Sequence, residues 1–131
     1  MNSKYNLHTK LCDLLHIDVP IIEAPMVESP RLVAAVSNAG GLGMLPLYSG
    51  PDEVRKNIQE IRKLTDKPFG VNMFVFPEAR PHEKLKVCLD ESVPIISFFW
   101  GDPSPFVKNV HDAGAIVLST VASASEAKSI R

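Results

Sequence analysis

The sequence predicts an α/β fold built on a parallel sheet, and three observations carry that expectation. Five short apolar runs recur along the chain, most of them continuous rather than alternating, as strands covered on both faces are. The segments between them show helical periodicity with start and stop signals. Runs and helical segments alternate at intervals of a little over twenty residues, the pattern of βαβ units with right-handed crossovers.

The runs are Pro20-Ile21-Ile22-Glu23-Ala24, Gly41-Leu42-Gly43-Met44-Leu45, Phe69-Gly70-Val71-Asn72-Met73-Phe74, Pro94-Ile95-Ile96-Ser97-Phe98-Phe99 and Ala115-Ile116-Val117-Leu118-Ser119. Several begin after proline or glycine, which suits a strand entry better than a strand interior. Ser29-Pro30 supplies an N-cap and a first-turn proline for a helix that turns Leu32, Val33 and Val36 inward and ends at Gly40-Gly41. Gly50-Pro51-Asp52-Glu53 opens the next helix with acidic residues at its positive end. Val54, Ile58, Ile61 and Leu64 form its inner face, and Arg62-Lys63 occupy its last turn. Pro81 starts a helix with Leu85, Cys88 and Leu89 inward, and Ser104-Pro105 one with Phe106, Val107 and Val110 inward. Ser123-Ala124-Ser125-Glu126 reads as a capping box for a final helix.

Composition bounds the function. The chain has 131 residues, 45% hydrophobic and 22% charged, with a formal charge of −1. That is ordinary globular composition, with no electrostatic footprint for nucleic acid or an anionic membrane. No apolar run approaches the ~20 residues that span a bilayer, and no leader pattern opens the chain, so a cytoplasmic protein is expected. Cys12 and Cys88 read as small core hydrophobes of a reducing compartment.

Repeating βα units fit either an open doubly wound sheet or a closed barrel. Five strands would complete the open sheet, whereas a barrel needs eight units and about 250 residues. In both, the working residues lie at the carboxyl ends of the strands. Here those ends read Ala24-Pro25-Met26, Gly43-Met44-Leu45-Pro46, Val71-Asn72-Met73, Phe98-Phe99-Trp100-Gly101-Asp102-Pro103 and Ser119-Thr120-Val121. The rim is apolar with isolated hydrogen-bonding groups, which suits a planar conjugated ligand. No cluster at metal-ligand spacing occurs, so no metal site is expected. Gly40-Gly41-Leu42-Gly43 precedes a strand instead of opening a helix, so it is not a phosphate cradle.

Five blocks then carry a specific resemblance. Pro20 to Met26, Leu32 to Gly43, Thr65 to Asn72, Ser97 to Gly101, and the Ser119-Thr120-Val121 run leading to Glu126-Ala127 follow one another in order. Together they resemble the opening of the FMN-dependent nitronate monooxygenase family, formerly called 2-nitropropane dioxygenases. The resemblance favours the barrel over the open sheet and makes residues 1–131 the N-terminal half of an FMN-binding (β/α)8 barrel, truncated to about five β/α units. It implies an oxidoreductase that oxidises alkyl nitronates or nitroalkanes with molecular oxygen, the activity belonging to the complete barrel. Carried over residue by residue, Ala24, Pro25 and Met26 would lie against the isoalloxazine. Asn72 would hydrogen-bond the FMN, and Thr120 joins this cofactor set. The physics is sensible, since Pro25 is rigid and lacks an N–H, Met26 is polarisable, and the Asn72 amide both donates and accepts.

The family's base is a histidine of a Gly-Gly-His type segment after the sixth strand, and its phosphate-binding glycines follow the last two strands. Neither lies in this sequence, so no catalytic residue is assigned. His8 and His16 precede the first run, His111 falls on a helix, and His82 sits in a polar first helical turn. Two open barrel edges would favour self-association. Two other readings share the pattern: a flavin-dependent enoyl-acyl-carrier-protein reductase, against which Ala24 weighs, and a non-catalytic half-barrel acting as an association module.

Overall fold

The computed structural model describes residues 7–130; residues 1–6 and Arg131, the ends of the expected domain range, lie outside the described residues. The chain runs α1 (Lys10–Leu15), α2 (Pro30–Asn38), β1 (Gly43–Pro46), α3 (Pro51–Leu64), β2 (Phe69–Phe74), a 3-10 turn (Pro77–Ala79), α4 (Pro81–Asp90), β3 (Ile95–Phe99), α5 (Ser104–Asp112), β4 (Ile116–Ser119) and α6 (Ala124–Ser129).

The four strands form one all-parallel sheet in the order β1-β2-β3-β4. The first of the five expected strands is reduced to a single parallel bridge, Ile22 beside Leu42. Two ladder bonds flank it, Leu42 N–H to the Ile21 carbonyl and Glu23 N–H to the Leu42 carbonyl, both 2.9 Å. Tight turns close in on either side, with Ile21 N–H bonded to Val19 and Met26 N–H bonded to Ala24. Pro20 and Pro25 bracket the segment and cannot donate to a ladder, so pairing stops after one residue.

Counting that bridge, neighbours in space follow the order of the sequence without reversal. A doubly wound sheet reverses its order at a switch point; a barrel does not. The fold is therefore a partial (β/α) barrel.

Strand residues divide between two cores. Leu45, Val71, Met73, Ile96 and Phe98 meet Val33, Val54, Ile58, Ile61, Leu85, Cys88, Phe106 and Val110 of the helices. On the other face, Met44 and Ile95 pack with Leu42 and with Cys12, Leu15 and Ile17 from α1 and the turn after it. Register places Met44, Gly70, Ile95 and Ile116 side by side across the sheet. A Cβ on Gly70 would stand 3.0 Å from the Met44 thioether, so the missing side chain is what lets Met44 fill this layer. α1 thus closes the amino-terminal end of the inner face, and the carboxyl end stays open.

The helix signals hold, with instructive shifts. Ser29 caps α2 by accepting from the Leu32 N–H, yet the buried face is Val33, Ala34 and Ser37, with Val36 half-buried and Leu32 43% exposed. The small residues win because α2 lies directly on β1. A Cβ at Gly43 would come within 2.1 Å of the Val33 carbonyl oxygen, and the Gly43 N–H donates to Ser37 Oγ at 3.2 Å. In α3, Val54, Ile58 and Ile61 are buried as expected, but Leu64 is exposed in the last turn. α4 and α5 bury the expected Leu85, Cys88, Phe106, Val107 and Val110, with Leu89 half-buried. Ser123 caps α6, while Glu126 reaches back to the Ala122 N–H, one residue earlier than in the usual box.

Candidate functional site

The carboxyl ends of the strands surround an open cavity of about 680 Å³, within the usual range of small-molecule sites. Its walls are apolar and aromatic: Ile22, Pro25, Met26, Met44 and Leu118, with Tyr48, Phe74, Phe99 and Trp100. Its polar groups are few: Glu23, Asn72, Ser97, Ser119 and Thr120. No lysine or arginine lines it.

Register builds the floor. Pro46, Asn72, Ser97 and Leu118 stand side by side on four strands, one layer beyond Met44 and Ile95. Asn72 is 7% exposed, and its Oδ1 accepts the Ser97 hydroxyl at 3.0 Å. That bond orients the amide and leaves Nδ2 as the donor for a ligand.

The aromatic wall comes from the ends of β2 and β3. Phe74 stacks on Tyr48, Phe76 and Trp100, and Trp100 stacks on Phe99 with ring centroids 4.9 Å apart. Trp100 adopts a left-handed backbone, φ 54°, followed by Gly101 at φ 124°. A bulky residue in that region is strained, and such strain clusters at binding sites. The turn is held by the Val75 N–H donating to the Trp100 carbonyl and by the close seat of Gly101 on Val75.

Of the residues expected to hold a cofactor, Pro25, Met26, Asn72 and Thr120 all line this one cavity. Pro25 is half-buried and its carbonyl accepts the Tyr48 hydroxyl at 3.1 Å. Met26 is 74% exposed. The Thr120 N–H donates to the Phe98 carbonyl. Ala24 is not among the lining residues; it is exposed, and its carbonyl accepts the Met26 N–H. His82 lies outside the cavity, exposed, with its ring tilted against Phe106 at a centroid distance of 4.7 Å.

Sequence reading does not single out Glu23 or Tyr48 in the lining, nor Glu28 and Lys84, which lie outside it. Glu23 falls within the first apolar run, yet its Oε2 accepts the Met44 N–H at 3.0 Å and its Oε1 is buried without a partner. Burial raises its pKa above the ordinary 4.5, against the Met44 N–H that favours the charged form. Glu28 pins the loop that carries Pro25 and Met26: one oxygen accepts the Ser49 N–H and hydroxyl, the other the Asn57 amide. Lys84 is 5% exposed and donates from Nζ to the Leu47 carbonyl at 2.6 Å, its pKa lowered by burial. The one trace of Glu23 in the sequence is a carboxylate inside an apolar run, whereas Lys84 sits among His82, Glu83 and Lys86 and carries no such mark. Among the described residues, no three His, Cys, Asp or Glu side chains gather as metal ligands, and no helix is long and apolar enough to cross a membrane.

Comparison with known proteins places these features in context. The nitronate monooxygenase family model matches residues 8–83. A nitronate monooxygenase of Pseudomonas aeruginosa is 43% identical over 102 residues, covering 75% of this chain and 29% of that protein. A hydroxy-methyl-oxo-octahydro-indene-carboxyl-CoA dehydrogenase of Rhodococcus jostii is 34% identical over 127 residues, covering 95% of this chain and 36% of its own. Among solved structures, FabK from Thermotoga maritima superposes with a TM-score of 0.88 at 42% identity, over 94% of this chain and 40% of that one. Nitroalkane oxidase from Streptomyces ansochromogenes gives 0.80 at 32% identity, over 93% and 45%. The chain spans 29% to 36% of the length of the first of these curated relatives.

Proposed function

Because the chain belongs to the nitronate monooxygenase family, we propose that it supplies the flavin-ring half of an FMN-dependent oxidoreductase acting on alkyl nitronates or nitroalkanes with molecular oxygen. The observation that carries this reading is the cavity itself, with apolar and aromatic walls, a shielded amide at its floor and one buried carboxyl oxygen lacking a partner. A flat conjugated ring with a polar edge matches that set of groups. The phosphate end finds no cation in the lining, so residues 1–131 are read as the N-terminal part of a site whose phosphate anchor lies elsewhere in a complete barrel.

In this reading Pro25 and Met26 would hold the ring, with the Ala24 carbonyl setting their turn. The Asn72 Nδ2 would donate to the ring's polar edge, and Thr120 would join it from the cavity lining. When bound, FMN supplies the redox chemistry and the reaction with oxygen. The chain's own part is to bind, orient and keep water from the ring. The aromatic wall of Phe74, Phe99 and Trp100 leaves an apolar face beside it for a small nitronate.

The test is oxygen uptake on propyl-2-nitronate by a complete barrel containing this sequence, loaded with FMN. Turnover above a free-flavin blank supports the reading, and its absence in a flavin-loaded protein contradicts it. A second reading follows from the Rhodococcus relative, which covers almost the whole chain and is named for an acyl-CoA substrate. Oxidation of a carboxyl-CoA thioester with no nitronate turnover would select it.

A further inference from the structure

We propose that Glu23 is a ligand-contacting residue of this cavity, its carboxyl hydrogen-bonding the polar edge of the flavin ring. The inference rests on the flavin reading above and adds to it a residue on the opposite side of β1 from Asn72.

Glu23 is the only acidic or basic side chain in a lining otherwise made of neutral groups. Its Oε2 is engaged by the Met44 N–H at 3.0 Å, which fixes the side chain over the inner face of the sheet. Its Oε1 is the one buried side-chain nitrogen or oxygen without a hydrogen-bond partner among the described residues. A buried polar atom left unsatisfied is costly, and native structures rarely keep one without a use. A purely structural role, satisfying the Met44 N–H, needs only one acceptor oxygen, and Oε1 is left over from it. The terminal torsion of a glutamate is broad, so a small turn presents the carboxyl to a ligand on the floor. Burial favours the neutral form, which adds a donor to the acceptors that a carboxylate has. Asn72 adds its Nδ2 donor, its Oδ1 being engaged by Ser97. A ring edge that alternates acceptors and donors matches the two residues together.

Trp100 is the only tryptophan of the chain and lines the cavity, so its emission reports ligand entry directly. The purified 131-residue protein, with Glu23→Gln and Glu23→Leu, is titrated with FMN while Trp100 emission is followed and corrected for flavin absorption. Glu23→Gln keeps a donor and an acceptor and is expected to bind like the unaltered chain. Glu23→Leu is expected to bind about tenfold or more weakly. In the unaltered chain, the carboxyl carbon resonance of Glu23, assigned by its loss in Glu23→Gln, is expected to move along the same saturation curve as Trp100. This second readout does not depend on the leucine variant folding. Equal FMN affinity in Glu23→Leu, or a Glu23 resonance that stays still while Trp100 responds, overturns the inference and leaves the flavin reading standing. If Trp100 emission is indifferent to FMN in every variant, the flavin reading fails and the inference fails with it.

Discussion

The Ser97 hydroxyl donates to the Asn72 amide oxygen across the β2–β3 register, 3.0 Å apart at the floor of the cavity. The two residues are direct neighbours on adjacent parallel strands, so the sheet holds the amide in one orientation before any ligand arrives. Pre-set orientation of this kind lowers the entropic cost of binding.

Asn72→Ala should therefore weaken flavin binding by about tenfold, the loss of one hydrogen bond to a strongly polar ligand. Ser97→Ala should weaken it less, because the amide stays but can turn. Both substitutions should lower the melting temperature only slightly, since the lost internal bond is worth about 1 kcal/mol. Isothermal titration paired with thermal denaturation checks this. Unchanged affinity with a clearly lower melting temperature would make Asn72 a structural residue.

Glu23 should leave a mark on the pH dependence of stability. Its pKa in the folded chain is raised above 4.5, first by burial, so over the window above 4.5 the folded state holds a proton that the unfolded state has released. Stability from this group is complete below that window and is lost as pH rises through the folded pKa. Glu83, Asp90 and Asp102 are shifted the other way by their hydrogen bonds, so the comparison must be with Glu23→Gln. The melting-temperature advantage of the glutamine variant should grow with pH above 4.5 and then level off. A constant difference from pH 4 to 8 would show that Glu23 ionises freely.

Cys88 should resist thiol reagents in the folded chain. Its side chain is buried between α4 and the sheet, and burial pushes its pKa up to about 12, so the reactive thiolate is scarce at pH 8. Cys12, on the inward side of α1, is buried as well. Labelling with a disulfide reagent should be slow in buffer and should reach both cysteines in denaturant. Rapid labelling of Cys88 in the folded chain would contradict the packing of α4.

Self-association is expected through the open edges. β4 is only half-buried along its length, and Ile21, Ile22, Met26 and Val27 at the other edge are exposed. An unpaired strand beside exposed apolar residues is prone to association. Light scattering after size exclusion, across a concentration series, should show dimers or larger species. A monodisperse monomer would mean that the edges are protected.

Much of this structure was legible in the sequence because its signals are local. Pro30, Pro51, Pro81 and the serines before α2 and α6 mark helix starts by their own chemistry. The apolar runs of β2 and β3 read as buried strands and are largely so, while that of β4 reads the same way but is only half-buried at the edge of the sheet. What stayed hidden depends on contacts between segments. The first strand shrank to the Ile22 bridge because its flanking turns compete with pairing, and α2 rotated because Gly43 admits its backbone. Pro25, Met26, Asn72 and Thr120 were legible as strand-end residues. Glu23 was not, because only the placement of Met44 against it separates a cavity carboxyl from a polar residue at a strand edge. The six-residue α1 carries too short a pattern to be seen, although it closes one end of the inner face.

In the proposed reading the cavity takes the flavin ring and leaves the phosphate to another part of a complete barrel. Equilibrium dialysis of the purified chain against FMN and against lumiflavin, which has the ring without the phosphate, separates the two. Weak binding of both is expected, with affinities within about threefold of each other, and loss of either on desalting. FMN retained through desalting while lumiflavin is not, or no binding of either, would contradict that reading.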